Sequence, residues 1–218
     1  TPVIADYPLS TVLPCPGMMP YEDIQIQLVD LPPIPNETTD GWVSGIMRVA
    51  DALVIVIDLT EDADIQLELL LDQLGRWNIR TERPKDGDGR VLVKRALVAA
   101  NKLDAPGAPG NFEKLRAAYG SRYPLVALSC LKKGGLEDLK QEIFKLAAII
   151  RVYSKPPGKE PDLTMPYTVP VGSTVMDVAE KVHKDFVTKL KYARVWGSAK
   201  FDGMRVERTH VLKDRDII

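Results

Sequence analysis

Apolar and polar residues are arranged in two distinct ways along the chain. Three short runs are apolar throughout, at residues 52–57, 96–100 and 125–128. A short unbroken apolar run is typical of a strand buried on both faces, as in a parallel sheet covered by helices. Residues 24–29 instead alternate between apolar and polar side chains, which predicts a strand with one exposed face. Together these segments predict a mostly parallel sheet.

Between the predicted strands, apolar residues recur at helical spacing. The predicted helices are residues 41–49, 63–77, 112–119 and 136–148. Strands that alternate with helices of this length indicate βαβ units joined by right-handed crossovers, so the first domain belongs to the α/β class. Residues 1–20 contain five prolines, which restrict them to a loop or an edge strand. Residues 80–90 are predicted to form a charged loop.

The composition changes after Ile150, and the pattern becomes that of a second, smaller domain. Short strands are predicted at residues 165–169, 192–196 and 216–218. Thr174 begins a predicted helix over residues 174–183, and Asp177 follows three residues later, as in a capping box. One helix among several short strands predicts a small α+β domain of the β-grasp kind. The two predicted domains are residues 1–148 and 149–218.

Composition narrows the class of protein without identifying it. Hydrophobic residues make up 45% of the 218 residues, which is enough to fill the cores of globular domains. No apolar run approaches the roughly 20 residues of a membrane-spanning helix, so no membrane partner is expected. Cys15 and Cys130 are far apart and form no CxxC pair. This argues against a disulfide framework and favours a cytoplasmic location.

The net charge of −1 conceals an uneven distribution. Residues 149–218 carry 13 Lys and Arg against 9 Asp and Glu, whereas the rest of the chain is acidic. In this basic part, Lys189, Lys191, Arg194 and Trp196 combine cationic and aromatic side chains, a pattern that can bind phosphates and stack bases of RNA. The same residues also fit a strand with one face packed on the neighbouring helix and one face in water. The sequence leaves both interpretations open.

A polar tetrad, Asn101-Lys102-Leu103-Asp104, directly follows the apolar run of residues 96–100. Open α/β sheets bind their ligands at this carboxyl end of the strands. The two oxygens of Asp104 match the ring N–H and the exocyclic amine of guanine, whereas adenine offers no such pair of donors. The stem of Lys102 can lie along a base, and Asn101 can tie neighbouring loops together. Taken alone, the tetrad also fits a polar turn at a strand end.

Three further motifs stand in a fixed order around the tetrad. They are Tyr7-Pro8-Leu9-Ser10-Thr11, Asp30-Leu31-Pro32-Pro33 and Ser129-Cys130-Leu131. In this order they resemble the first switch, the DxPG motif and the Ser-Ala-Lys motif of the Obg and developmentally regulated GTP-binding (DRG) group of GTPases. The part from residue 150 onward is similar to a TGS domain, a ubiquitin-like module, through residues 169–175 and 211–216. The resemblance covers nearly the whole chain.

The resemblance implies a P-loop-GTPase-like, mostly parallel sheet followed by a β-grasp TGS domain. It implies that the guanine-binding residues are Asn101, Lys102, Asp104, Ser129 and Cys130, the last through its backbone amide. It also implies that Thr11, Asp30 and Pro33 lie near the phosphates, and that Thr11 and Asp30 ligate Mg²⁺. The implied function is magnesium-dependent binding of GTP and GDP with slow hydrolysis as a conformational switch. The implied partner is the ribosome or RNA.

The chain departs from this family at the phosphate site. The phosphate-binding loop GxxxxGK[ST] is absent, and Gly17 is the only glycine before Asp30. In the family, the strand that leads into this loop lies between the strands of residues 24–29 and 52–57. We therefore expect the central first strand to be missing and a gap to remain. We expect the natural protein to extend beyond both ends of this chain, and the chain alone to be inactive.

Two further departures predict slow hydrolysis. Pro33 replaces the glycine whose amide meets the terminal phosphate, and proline has no N–H. Ile34 stands where many GTPases have a water-orienting glutamine. No catalytic residue is assigned, and Asp51 and Asp58, which flank residues 52–57, are interpreted as strand-end caps rather than ligands. The alternative function is that of a non-hydrolysing nucleotide- or RNA-binding scaffold protein with a degraded GTPase site.

Overall fold

The apolar runs of the sequence form strands in the first of two compact units. The computed structural model describes residues 14–34, 41–82, 91–183, 188 and 190–218. The first unit comprises Thr1–Met19 and Ile26–Ala147, and the second comprises Pro20–Gln25 and Ala148–Ile218. That residues 20–25 belong to the second unit was not predicted from the sequence.

Strands and helices alternate in the first part of the chain. In order, the elements are β1 (Cys15–Tyr21), β2 (Ile24–Asp30), α1 (Gly41–Val49), β3 (Ala52–Asp58), α2 (Ala63–Arg76), β4 (Ile79–Arg80), β5 (Leu92–Val93), β6 (Arg95–Asn101), α3 (Ala108–Tyr119), β7 (Leu125–Ala127) and α4 (Leu136–Ala147). Strands β3, β6 and β7 form a parallel sheet in the order β3-β6-β7. The predicted α/β class is therefore confirmed.

The central strand β6 is buried on both faces, as its unbroken apolar run predicts. Leu97 and Val98 are both fully buried, and they belong to different hydrophobic clusters. Val98 shares its cluster with Leu67 of α2 and Leu115 of α3, whereas Leu97 shares its cluster with Ile143 of α4. Fully burying such a side chain stabilises the fold by about 1.5–3 kcal/mol. Helices on both faces thus hold β6 in place.

Strands β2 and β3 belong to different sheets. β2 pairs with β1 in a two-stranded hairpin, and β3 lies at the edge of the parallel sheet. Within the described residues, β1 and β2 therefore do not join β3, β6 and β7 in one sheet. Helix α3 begins at Ala108, earlier than predicted, because Pro109 is suited to the first turn of a helix.

The described part of the second unit contains a three-stranded mixed sheet, a two-stranded sheet and a helix that packs against the three-stranded sheet. Its elements are β8 (Ile149–Ser154), β9 (Asp162–Pro170), α5 (Val175–Val182), β10 (Ala193–Val195), β11 (Met204–Val206) and β12 (Asp216–Ile217). β8 is central, parallel to β12 and antiparallel to β9. Val178 of α5 lies in one core cluster with Val152 of β8. The predicted capping box is confirmed, because the Thr174 N–H donates to Asp177 at 2.6 Å and the Thr174 hydroxyl accepts from the Asp177 N–H at 3.4 Å.

A buried arginine joins three parts of the second unit. Arg151 of β8 is 3% exposed. Its Nε and Nη2 donate to the two carboxylate oxygens of Asp214, at 3.1 and 2.6 Å. Its Nη1 donates to Asp23 at 2.8 Å and also to Glu22, both in the turn between β1 and β2. The hydroxyl of Tyr153 donates to Asp23 as well. Arg151 thus connects the central strand β8 to the turn between β1 and β2 and to the segment before β12.

Replacing Arg151 with methionine should strongly destabilise the second unit. Three carboxylates would remain close together without their shared cation, and breaking a buried ion pair in this way costs about 3–5 kcal/mol. We expect the midpoint of urea unfolding, followed by circular dichroism, to fall accordingly. Arg208→Met is the matched control, because Arg208 is exposed in the same unit. An equal loss in both variants would contradict the role of the cluster.

The same cluster should make stability depend on pH in the acid range. The hydrogen bond from Arg151 lowers the pKa of Glu22 below its ordinary value of 4.5. Burial raises the pKa values of Asp23 and Asp214, but their hydrogen bonds, including those from Arg151, outweigh burial and bring both below the ordinary 3.8. The ionised carboxylates therefore stabilise the folded state above these ordinary values. That contribution is lost as the pH falls through the lower folded-state values.

We accordingly expect the urea midpoint to be constant above about pH 5 and to decrease below about pH 4. In Arg151→Met this acid dependence should be weaker, because the cation that lowers the three pKa values is gone. A variant with the same acid dependence as the wild type would show that other groups are responsible.

Candidate functional site

The carboxyl ends of β3, β6 and β7 lie next to one another. Asp58, the last residue of β3, is in register with Asn101, the last residue of β6. Backbone hydrogen bonds extend this order beyond the strands, from the Leu59 N–H to the Asn101 carbonyl and from the Leu103 N–H to the Leu128 carbonyl, each 3.0 Å long. The loops after the three strands are thereby fixed at the edge of the sheet where α/β folds bind their ligands.

Asp104 is held by the loop that follows β7. The hydroxyl of Ser129 donates to Asp104 Oδ1 and accepts a 3.0 Å hydrogen bond from the N–H of Lys132. Ser129 is buried, whereas Asp104 is partly exposed. The hydrogen bond from Ser129 lowers the pKa of Asp104, so the carboxylate is ionised at neutral pH. A fixed, ionised carboxylate can accept two parallel hydrogen bonds from a ligand.

Asn101 ties the same loop to β6. Its Oδ1 accepts a 3.1 Å hydrogen bond from the backbone N–H of Cys130. This is the amide that the sequence predicts to contact the guanine base, and in the structure it donates to Asn101. The loop is closed further by backbone hydrogen bonds of 3.0 and 3.1 Å between Ser129 and Gly134. Cys130 thus contributes to loop geometry, and its contact with a base stays a prediction.

Lys102 leaves the strand in an unusual backbone conformation. Its φ is +66°, in the left-handed region that is uncommon for residues other than glycine. Its Nζ lies 2.5 Å from Oδ2 of Asp58. Asp58 caps its strand end as predicted, because it accepts from the N–H and hydroxyl of Thr60, at 2.9 and 2.6 Å. The ion pair with Lys102 was missed. Its only signal in the sequence was an aspartate at the end of a predicted neighbouring strand.

The residues predicted to lie near the phosphates and Mg²⁺ are Thr11, Asp30 and Pro33, and none of them belongs to β3, β6, β7 or the loops that follow these strands. Asp30 ends β2 and is exposed, as is Pro33. Ile34 packs against the hydrophobic cluster that contains Val98, which is the main core of the first unit. Thr11 and the rest of its motif lie outside the described residues. An exposed carboxylate suits Mg²⁺, which commonly takes one or two protein carboxylates together with substrate phosphates and water. Of the two predicted Mg²⁺ ligands, the structure therefore describes Asp30 but not Thr11.

The parts of the chain that the structure describes also bear on other classes of site. They contain no group of three or more His, Cys, Asp or Glu residues that could hold a metal ion. Their helices are all too short or too polar to cross a membrane. Cys15 and Cys130 are both free thiols.

Two arginines face each other on the hairpin of β10 and β11. Arg194 of β10 is directly opposite Arg205 of β11. The Arg205 guanidinium carbon lies 3.8 Å from the centroid of the Tyr192 ring, and Arg194 donates to the carbonyl of Gly203 at 3.1 Å. Arg205 was not among the predicted RNA-binding residues, because its position opposite Arg194 depends on strand register.

The other predicted RNA-binding residues flank this hairpin. Trp196 follows β10, and Nζ of Lys155 lies 5.7 Å from its ring centroid. Lys191 precedes β10 and is exposed. Lys189 lies outside the described residues. The structure thus brings Lys155 to the aromatic side chain from a distant part of the sequence, a contact that the sequence alone did not indicate.

Comparison with protein families matches residues 150–218 to the TGS domain. The matched segment begins inside β8 and includes β9, α5 and β10 to β12. Apart from the turn of the first hairpin, it accounts for nearly all of the second unit.

Relatives that match along nearly the whole chain include several GTP-binding proteins. An uncharacterised GTP-binding protein of Methanocaldococcus jannaschii is 28% identical, over 99% of this chain and 70% of the relative. Developmentally-regulated GTP-binding protein 1 of Xenopus laevis is 26% identical, over 99% of this chain and 74% of the relative. A solved structure of a GTP binding protein from Pyrococcus horikoshii OT3 has a TM-score of 0.64 at 17% identity, covering 95% of this chain and 87% of that one. At this identity the structural likeness shows the fold alone.

Proposed function

The chain is a homologue of the DRG group of GTP-binding proteins and carries a TGS domain, and we propose that it binds GTP and GDP through the carboxylate of Asp104. The observation that supports this most directly is the hydrogen bond from Ser129, which fixes an ionised Asp104 at the carboxyl edge of the sheet. Guanine offers that carboxylate two adjacent donors, and adenine does not. Asn101 supports the site from the side, by ordering the loop that carries Ser129.

At the phosphate end, the proposal assigns Thr11 and Asp30 as the protein ligands of Mg²⁺. When bound, Mg²⁺ neutralises charge on the nucleotide phosphates and orders their oxygens. Asp30 suits this role because it is an exposed carboxylate at the end of β2.

Hydrolysis by this site is proposed to be slow and to depend on a partner. Pro33 has no N–H to donate to a terminal phosphate. Ile34 packs its side chain against the core and has no group that can orient water. Both observations also favour the second candidate, a scaffold protein that binds nucleotide without hydrolysing it. Single-turnover assays with GTP and Mg²⁺ distinguish the two, since phosphate release above the uncatalysed rate excludes the scaffold.

Replacing Asp104 with asparagine should change the base that is bound. The variant loses charge-assisted hydrogen bonds worth about 1.5–3 kcal/mol each, so the affinity for GDP should fall at least about tenfold. Xanthine has a carbonyl where guanine has its amine, and the new amide group can donate to it. Xanthosine diphosphate should therefore bind Asp104→Asn better than it binds the wild type. Fluorescence titration with labelled nucleotides measures both affinities.

Asp138→Asn is the matched control, because Asp138 is an exposed carboxylate on α4 of the same unit. It should leave all affinities unchanged. Equal binding of ADP and GDP by the wild type, or unchanged GDP binding by Asp104→Asn, would overturn the proposal.

A second proposed activity is binding of ribosomal or other RNA through the TGS domain, in the cytoplasm. Like charges directly opposite each other on paired strands are unfavourable, yet Arg194 and Arg205 occupy such positions. An anionic partner would relieve this repulsion. Tyr192 is 43% exposed beside these arginines, and an exposed aromatic ring next to cations can stack a base.

Reversing charge at Lys189, Lys191 and Arg194 together, by changing each to glutamate, should weaken RNA binding. Each lost phosphate contact should also reduce the slope of log K against log salt by about 0.7 for a single strand. Fluorescence anisotropy with a short single-stranded RNA at several salt concentrations measures both effects. Lys145→Glu, at an exposed position of α4, serves as the charge control. Unchanged binding in the triple variant would argue that this surface does not contact RNA.

A further inference from the structure

Asp58 is held in place by several contacts besides the one with Lys102. Its Oδ1 accepts from the N–H and hydroxyl of Thr60. The side chain of Gln66 on α2 clamps its backbone, since Gln66 Oε1 accepts from the Asp58 N–H at 3.0 Å and Nε2 donates to the Asp58 carbonyl at 2.9 Å. The remaining oxygen, Oδ2, lies 2.5 Å from Lys102 Nζ. Asp58 is therefore a rigid anchor.

Lys102 is consequently held at both ends. Its backbone is set by the left-handed turn after β6, and its ammonium group is set by Asp58. Asp104, which is proposed to select the base, follows two residues further along the chain. A free lysine side chain samples many rotamers, and holding both ends removes most of that freedom before any ligand arrives.

The negative charge of Asp58 also offsets the positive charge of Lys102. Burial raises the pKa of Asp58, but hydrogen bonds from Lys102 and Thr60 outweigh burial and lower it overall. The hydrogen bond with Asp58 raises the pKa of Lys102. Both groups are therefore ionised at neutral pH, and the paired ammonium is less strongly drawn toward other anions, including phosphates.

We propose that Asp58 is a positioning residue for nucleotide binding: it holds the head of Lys102 so that the stem forms an apolar platform against one face of the base. This inference rests on the proposed function, in which Asp104 selects guanine. Asp58 acts through Lys102 and does not itself contact the nucleotide.

The test uses Asp58→Asn in the full chain. Asparagine keeps the Oδ1 acceptor for Thr60 and the backbone contacts with Gln66, and it removes the charge that holds Lys102. We expect the affinity for labelled GDP to fall about tenfold, with the same factor for GTP, because the effect is on the base. The thermal midpoint should stay at the wild-type value. Asp51→Asn, at the other end of the same strand, is the matched control and should leave the affinity for GDP unchanged.

A double-mutant cycle with Lys102→Met separates positioning from a merely structural role. Methionine keeps an apolar stem but has no head for Asp58 to hold. In that background, Asp58→Asn should cause no further loss of GDP affinity. A full additional tenfold loss would show that Asp58 acts independently of Lys102, and would overturn the inference.

The outcomes also distinguish this inference from the proposed function. Wild-type GDP affinity in Asp58→Asn, together with a loss of guanine preference in Asp104→Asn, would overturn the positioning role and leave the proposed function intact. A wild-type chain without preference for guanine nucleotides would overturn both. A loss of affinity in Asp58→Asn that differs between GDP and GTP would place the effect at the phosphates and also refute the platform.

Discussion

The burial of β6 on both faces and its pairing on both edges constrain everything at the candidate site. Neighbouring helices pack against Leu97 from one side and Val98 from the other, while β3 and β7 bond to its edges. The strand end at Asn101 therefore cannot shift. Leu103 returns to the main core immediately afterwards, so the one residue between them, Lys102, takes the left-handed conformation. The site geometry follows from this packing.

The ionic contacts of Arg151 and of Lys102 differ in what they can contribute to stability. Arg151 is buried, and removing its charge takes away the cation that three carboxylates share, at a cost of about 3–5 kcal/mol. The side chains of Lys102 and Asp58 are 55% and 27% exposed, and such pairs stabilise a fold by only about 0–1 kcal/mol. Left-handed backbone at a residue other than glycine costs about 1–3 kcal/mol. The pair of Lys102 and Asp58 therefore adds little to stability, and the role that we propose for it is to orient Lys102.

Local signals in the sequence predicted the parts of the molecule that depend on local physics. The unbroken run before Asn101 predicted a strand buried on both faces, and the spacing of Thr174 and Asp177 predicted the capping box. Contacts between distant residues could not be predicted in this way. Arg151 meets Asp23 across 128 positions of the chain, and Asp58 meets Lys102 only because strand register aligns them. The prediction that Asn101 ties neighbouring loops together is confirmed, although the sequence did not indicate that the Cys130 amide would be its partner. Thr11 and Lys189 lie outside the described residues, so their roles stay predictions.

Base selection and tight binding are supplied by different parts of such a site. In the proposed site, two charge-assisted hydrogen bonds from guanine to Asp104 would contribute about 1.5–3 kcal/mol each. Association itself costs an estimated 4–15 kcal/mol in lost translational and rotational freedom. Contacts to the base therefore decide which nucleotide is preferred, but they leave little or no net affinity by themselves. Most of the binding energy would then have to come from the phosphates, and Pro33, which is proposed to lie there, has no backbone N–H to donate. The proposed platform under the base would matter more in this situation, because it would reduce the entropy lost on binding without adding a contact to the phosphates.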